Sequence, residues 1–132
     1  MTLEILLVDD DPVVQYLHKS VLLKSNFPEQ KFFSNGALVL NYILENKHED
    51  LLLLVLLDIN MPCMNGWEFL EELNNLVIKP LVKVVIVTSS INGSDRDKAK
   101  KYHHVFEFME KPLTEERVGN LKNDTDLACF LS

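Results

Sequence analysis

The sequence predicts an α/β protein in which strands and helices alternate around a parallel sheet. Short apolar runs recur along the chain, separated by longer amphipathic segments, so that five strand–helix units can be read in order. One run, Leu51 to Leu57, is apolar at every position, as a strand covered by helices on both faces must be. The polar residues stand where strands should stop. Leu6-Leu7-Val8 runs into Asp9-Asp10-Asp11, Leu57 into Asp58, Val87 into Thr88, and Met109 through Glu110 into Lys111-Pro112. In a parallel sheet the carboxyl ends of the strands share one edge, so these distant residues converge on one crevice.

Each element has its own signal. Ile5 to Val8 is the first strand, and Pro12 suits the first turn of the helix after it, where a missing N–H costs nothing. Val14, Leu17, Val21 and Leu22 recur there at helical spacing, and Phe27-Pro28 ends the segment. Lys31-Phe32-Phe33 is a short peripheral strand, followed by Ser34-Asn35-Gly36 and a second helix that ends near Asn46. Leu51 to Leu57 takes the middle of the sheet. After the loop through Met61-Pro62, Asn65 is a helix cap, and Gly66, Phe69, Leu70, Leu73 and Leu76 form the inner face of a third helix closed by Lys79-Pro80. Val82 to Val87 is the fourth strand, and Ser94 or Asp95 caps a polar fourth helix running to about Tyr102. Val105 to Met109 is the fifth strand, and Thr114-Glu115-Glu116 opens the last helix with a cap and an acidic first turn. Gly119 and Asn123-Asp124-Thr125-Asp126 weaken that helix, so residues 124–132 either continue it or form a separate tail.

At 132 residues the chain is expected to form one domain, residues 1–132, large enough to bury about two-thirds of the surface its unfolded form exposes. A net charge of -7 supplies no basic stripe for a phosphate backbone, which argues against direct nucleic-acid binding. Cys63 and Cys129 are read as free thiols, which fits a reducing, cytoplasmic setting. The amino terminus lacks the pattern of a secretion signal, and no apolar run approaches the roughly 20 residues that would span a membrane.

Asp9, Asp10 and Asp58 at neighbouring strand ends need a counter-charge, since two carboxylates about 4 Å apart repel by on the order of 4 kcal/mol at an effective dielectric of roughly 20. A divalent cation meets that need, and a few hard oxygen ligands suit Mg²⁺. Lys111 adds a fixed positive charge and Thr88 a hydroxyl donor, both able to hold oxygens of a phosphoryl group on Asp58. A carboxylate is a competent nucleophile for such a transfer.

These pieces, LLVDDDP, LLDINMPCMNG, VIVTSS and FMEKPL in this order, resemble the receiver domain of two-component response regulators over nearly the whole chain. The resemblance implies a flavodoxin-like (βα)5 sheet in the order 2-1-3-4-5. It implies that Asp58 is the phosphoacceptor, that Asp10 ligates Mg²⁺ directly and Asp9 through water, and that Asn60 lends its backbone carbonyl. Thr88 and Lys111 would hold the phosphoryl oxygens, Phe108 would be the aromatic switch, and Lys111-Pro112 would be a cis peptide. The implied donor is a histidine kinase or histidine phosphotransfer protein. The output would be a partner protein or a homodimer, meeting the face made by the fourth helix, fifth strand and fifth helix. The domain itself would not be an enzyme in the usual sense.

Three departures qualify that picture. Phe108 has no hydroxyl, so its switching rests on packing; Asp11 falls outside the metal pair and reads as a helix cap; and no output segment follows the fifth unit. An aspartyl-nucleophile phosphatase would carry a second Asp where this chain has Asn60. A phosphorylation-independent binding module on the same fold is the other alternative, though such forms usually lose a metal acid or the lysine. His18, His48 and the His103-His104 pair have no partner cluster at metal-ligand spacing and read as ordinary solvated residues, Cys63 as redox-inert, and Trp67 as packing at the start of the third helix.

Overall fold

Five parallel strands form one sheet in the order β2-β1-β3-β4-β5, with β1 Thr2–Val8, β2 Gln30–Phe33, β3 Leu51–Leu57, β4 Leu81–Thr88 and β5 Val105–Glu110. The computed structural model describes residues 1–89 and 93–131, so Ser90 of the VIVTSS motif lies outside the described residues. Helices α1 (Pro12–Lys24), α2 (Gly36–Glu45), α3 (Gly66–Asn74), α4 (Gly93–Ala99), α5 (Glu115–Asn120) and α6 (Thr125–Ala128) connect and cover the strands.

The period-two geometry of a strand sends alternate residues of β3 to opposite faces. Leu53, Val55 and Leu57 meet Val39 and Ile43 of α2 and Phe69, Leu70 and Leu73 of α3, with Ala99 of α4 at the margin. Leu52, Leu54 and Leu56 meet Leu22 of α1, Val118 of α5 and Leu127 of α6. β3 is therefore buried on both sides, and its bounds match the apolar run that predicted it. The strong polarity of α4 has the expected consequence: Ala99 is the buried residue of that helix.

The structure departs from the sequence reading in four places. β1 starts at Thr2 rather than Ile5, because Thr2, Leu3 and Glu4 pair in register with Leu51, Leu52 and Leu53. The inner face of α1 runs through His18 and Leu22, and Leu17, counted into the apolar stripe, is exposed. α3 stops at Asn74, and Leu76 packs against the core from beyond its end. α4 runs from Gly93 to Ala99, so it ends short of Tyr102, Ser94 and Asp95 lie within its first turn, and the capping position falls outside the described residues.

The tail is a separate short helix. A 3₁₀ turn, Leu121–Asn123, interrupts the chain after α5, and Asp124 then caps α6 by accepting from the Leu127 N–H at 3.3 Å. Lys83 on β4 fixes this turn, its Nζ lying 2.7 Å from Asp124 Oδ1 and 3.0 Å from Asp126 Oδ2. Leu127 and Leu131 bury their side chains against the sheet. Asp124→Ala removes both the cap and the closer ion-pair partner, and is expected to cost about 1–2 kcal/mol in urea denaturation. A change of under about 0.3 kcal/mol would mean that the apolar contacts hold the tail unaided.

Candidate functional site

The four polar strand ends do meet at one edge of the sheet. β1 ends where the Asp9 N–H donates to Phe33 O at 3.0 Å, and β3 ends where the Asp58 N–H donates to Val8 O at 2.9 Å. Both carboxylates are buried, while Asp10 is exposed. One oxygen from each of Asp9, Asp10 and Asp58 lies within 4.8 Å of the others. Asp11, as its position predicted, caps α1 through the Val13 N–H at 2.9 Å, and the Asp11 N–H donates to Asp9 Oδ1 at 2.9 Å.

Between Asp58 and α3 the loop turns tightly. The Gly66 N–H donates to Ile59 O at 2.9 Å, and a Cβ at Gly66 would lie 2.7 Å from the Asp58 carbonyl oxygen, so no larger residue fits unless the loop shifts. Asn65 and Glu68 form a reciprocal capping box that fixes where α3 begins. Asn60, exposed beside this turn, donates its N–H to Asp58 Oδ1 at 3.4 Å.

From the far side, β5 brings in Lys111. Its backbone N–H donates to Thr88 O at 2.7 Å, which ties the ends of β4 and β5 together, and its bond to Pro112 is cis. Its Nζ sits 2.7 Å from Asp9 Oδ2 and 3.3 Å from Asp58 Oδ2. Thr88 is buried at the end of β4. Phe108, half-buried on β5, packs against the core, with the Arg96 guanidinium 5.3 Å from its ring centre.

Burial pushes the Asp58 carboxyl above the usual carboxylate range; Lys111 opposes this and the Asp9 charge adds to it. Burial, the strongest single influence on Lys111, pulls its ammonium down, but the hydrogen bond to Asp9 and the charges of Asp58 and Asp9 outweigh it, so the net shift is upward. One ammonium thus serves two buried carboxylates, with a third beside them. A cluster of hard oxygens with surplus negative charge fits a small divalent cation such as Mg²⁺.

Two residues at this site were not picked out by the sequence. His18, read there as solvated, is 4 % exposed and accepts from the Leu113 N–H at Nε2, a long contact of 3.5 Å. Burial lowers its imidazole, against the pull of Asp9 and with the help of Lys111. Gln15, one turn earlier, donates from Nε2 to Asp9 O at 2.7 Å and to Phe33 O at 3.1 Å. The signal for His18 was its place, four residues after Val14 and four before Leu22, inside an apolar helical stripe.

The remaining side chains lie elsewhere. Cys63 and Cys129 are free and exposed, and Cys63 adopts a left-handed backbone with φ 68°. His48 and His103 are exposed, and the His104 ring lies 3.3 Å from Val82 O. Trp67 stacks on Tyr102 at the start of α3, with Lys98 Nζ 4.6 Å from its ring centre. Among the described residues no helix is long and apolar enough to cross a membrane.

Residues 5–121 match the family model of the response regulator receiver domain. Over 120 residues the chain is 28% identical to the two-component response regulator ORR23 of Oryza sativa subsp. indica, covering 90% of this chain but only 16% of that protein. A two-component response regulator from Cytophaga hutchinsonii superposes with a TM-score of 0.74 at 27% identity, covering 92% of this chain and 94% of that one. The Mn²⁺-bound form of response regulator Rcp1 superposes with a TM-score of 0.71 at 26% identity, covering 91% of each chain.

Proposed function

This chain belongs to the response regulator receiver domain family, and on that basis we propose that it accepts a phosphoryl group on Asp58 from a phosphohistidine of a histidine kinase or histidine phosphotransfer protein. One observation carries the reading: a buried carboxylate, Asp58, lies within reach of two more carboxylates and in contact with one ammonium, that of Lys111. Receiver domains meet such donors and output domains as a class, and a related regulator has been solved with Mn²⁺ bound.

In the transfer, an Asp58 oxygen attacks phosphorus, an O–P bond forms, and the P–N bond breaks with its electron pair returning to the donor imidazole. Burial leaves that oxygen poorly solvated and therefore ready to share its charge. Lys111 moves its ammonium onto a phosphoryl oxygen, and the Thr88 hydroxyl donates to another. Asp10, Asp58 and the Asn60 carbonyl, with Asp9 through water, would hold Mg²⁺, which would supply charge neutralisation to the transferring group. The chain acts here as acceptor and aids the transfer; where the donor is a histidine kinase, the kinase is the enzyme in the usual sense.

Loading Asp58 adds charge at a sheet edge already short of cations. Thr88 shifts toward the new oxygens and Phe108 follows into the space vacated, a packing change that biases two pre-existing arrangements. The face made by α4, β5 and α5, with Arg96, Phe108 and Arg117 along its grooves, is where an output protein or a second copy docks.

The test is the intact mass of the chain after incubation with acetyl phosphate, with Mg²⁺ and with chelator. A single phosphoryl adduct is expected with Mg²⁺ and none with chelator. No adduct in either, together with Trp67 fluorescence indifferent to Mg²⁺ and to beryllofluoride, would replace this reading with a phosphorylation-independent binding module.

A further inference from the structure

We propose that Gln15 and His18, one turn apart on α1, are positioning residues that set the Asp9–Lys111 geometry for phosphoryl transfer, a role that rests on the receiver chemistry above. Each reaches backbone rather than another side chain. Gln15 Nε2 bridges the carbonyls of Asp9 and Phe33, at 2.7 and 3.1 Å, and so clamps the ends of β1 and β2 to α1 just where the Asp9 carboxylate leaves the chain. His18 accepts the amide of Leu113, two residues beyond Lys111. Lys111 is therefore held from both directions, by its own N–H on Thr88 O and by the anchored Leu113.

Both side chains line one small cavity together with Asp9 and Asp58. The position of His18 in an apolar stripe would be filled at lower desolvation cost by leucine, so a polar group there calls for a reason. The reason offered by the geometry is that α1 becomes a rigid bar linking the segment that carries Asp9 to the segment that carries Lys111. The ammonium must sit within hydrogen-bond reach of Asp9 and Asp58, and slack in either segment changes that.

The two residues should fail differently. Gln15→Leu frees the Asp9 backbone, and since supporting groups around a metal site are worth about 10-fold or more in affinity, the Mg²⁺ dissociation constant by calorimetry is expected to rise about tenfold with the maximal phosphorylation rate little changed. His18→Leu frees the Lys111 loop, and misplacing a reacting partner by even about 1 Å is costly, so the maximal rate with acetyl phosphate should fall about tenfold while Mg²⁺ affinity holds. His18→Gln keeps an acceptor and should restore most of that rate. A merely structural pair would lower the melting temperature and leave both constants within about threefold of wild type, which overturns the proposal, as does failure of His18→Gln to recover the rate. Gln15 is half-buried, so Gln15→Leu keeps the test open should the His18 variants fold poorly. A wild-type chain that takes no phosphoryl group removes the receiver chemistry and this role together. A wild type that takes it, with all variants unchanged, removes the positioning role alone.

Discussion

Asp58→Asn is expected to lose the phosphoryl adduct completely and, with no metal present, to melt higher than the wild type. The first half follows from chemistry, since an amide oxygen is not a nucleophile toward phosphorus under conditions where a carboxylate is. The second follows from the site's charge balance. Asp58 is buried, stands beside Asp9 and Asp10, and shares one ammonium with Asp9. Removing its charge relieves repulsion and desolvation while giving up part of the Lys111 attraction, for a net gain on the order of 1 kcal/mol. The pH dependence has a definite sign. Because its folded-state carboxyl is raised by burial, Asp58 costs stability at pH values above that raised range and stops costing it as pH falls and the group takes its proton. The advantage of Asp58→Asn is therefore greatest near neutral pH and shrinks on acidification. Mg²⁺ should reverse the order of the two melting curves, because only the wild type keeps the full set of acids to bind it. A variant that melts lower than wild type at pH 7 without metal would show that Asp58 is a net stabilising group and that the reading of its strain is wrong.

How much of this could be read from the sequence depends on whether the governing interaction leaves a periodic trace. β3 was legible to the residue because a strand covered on both faces has no polar positions, and its neighbours were bounded by turn residues. The acids, Thr88 and Lys111 were legible because each ends an apolar run, and a parallel sheet gathers such ends at one edge. Asp11 and Asn65 were legible as caps because capping is local. Lys83 was not, because its partners Asp124 and Asp126 are brought to it by tertiary folding and no short spacing announces the pair. Gln15 and His18 failed for a related reason: their partners are backbone groups, which carry no sequence identity at all. Counting Leu17 into the inner stripe of α1 hid the histidine, since the true stripe needed a polar residue inside it.

Lys111→Met should separate the lysine's part in holding the site together from its part in transfer. In the wild type without metal its Nζ makes contacts of 2.7 Å to Asp9 and 3.3 Å to Asp58, so deletion leaves two buried carboxylates with backbone N–H donors but without that counter-charge. Removing one side of a buried ion pair costs about 3 kcal/mol or more, and urea denaturation without Mg²⁺ should show a loss of that order at pH 7. The loss should shrink on acidification, as Asp58, which burial holds above the usual carboxylate range, takes its proton, and shrink again with Mg²⁺, which takes over the vacated charge. Mg²⁺ itself should bind more tightly, because the ammonium no longer competes for Asp9 Oδ2 and Asp58 Oδ2. Phosphorylation should nevertheless slow by about 10²-fold at saturating Mg²⁺, the scale set by losing one fixed donor to a developing oxyanion. Stability restored, metal tightened and transfer slowed form a combination that a purely structural lysine cannot produce. Were the maximal rate to recover along with stability when Mg²⁺ is added, Lys111 would be the counter-ion of the resting site only, and the donor to the phosphoryl oxygens would have to be Thr88.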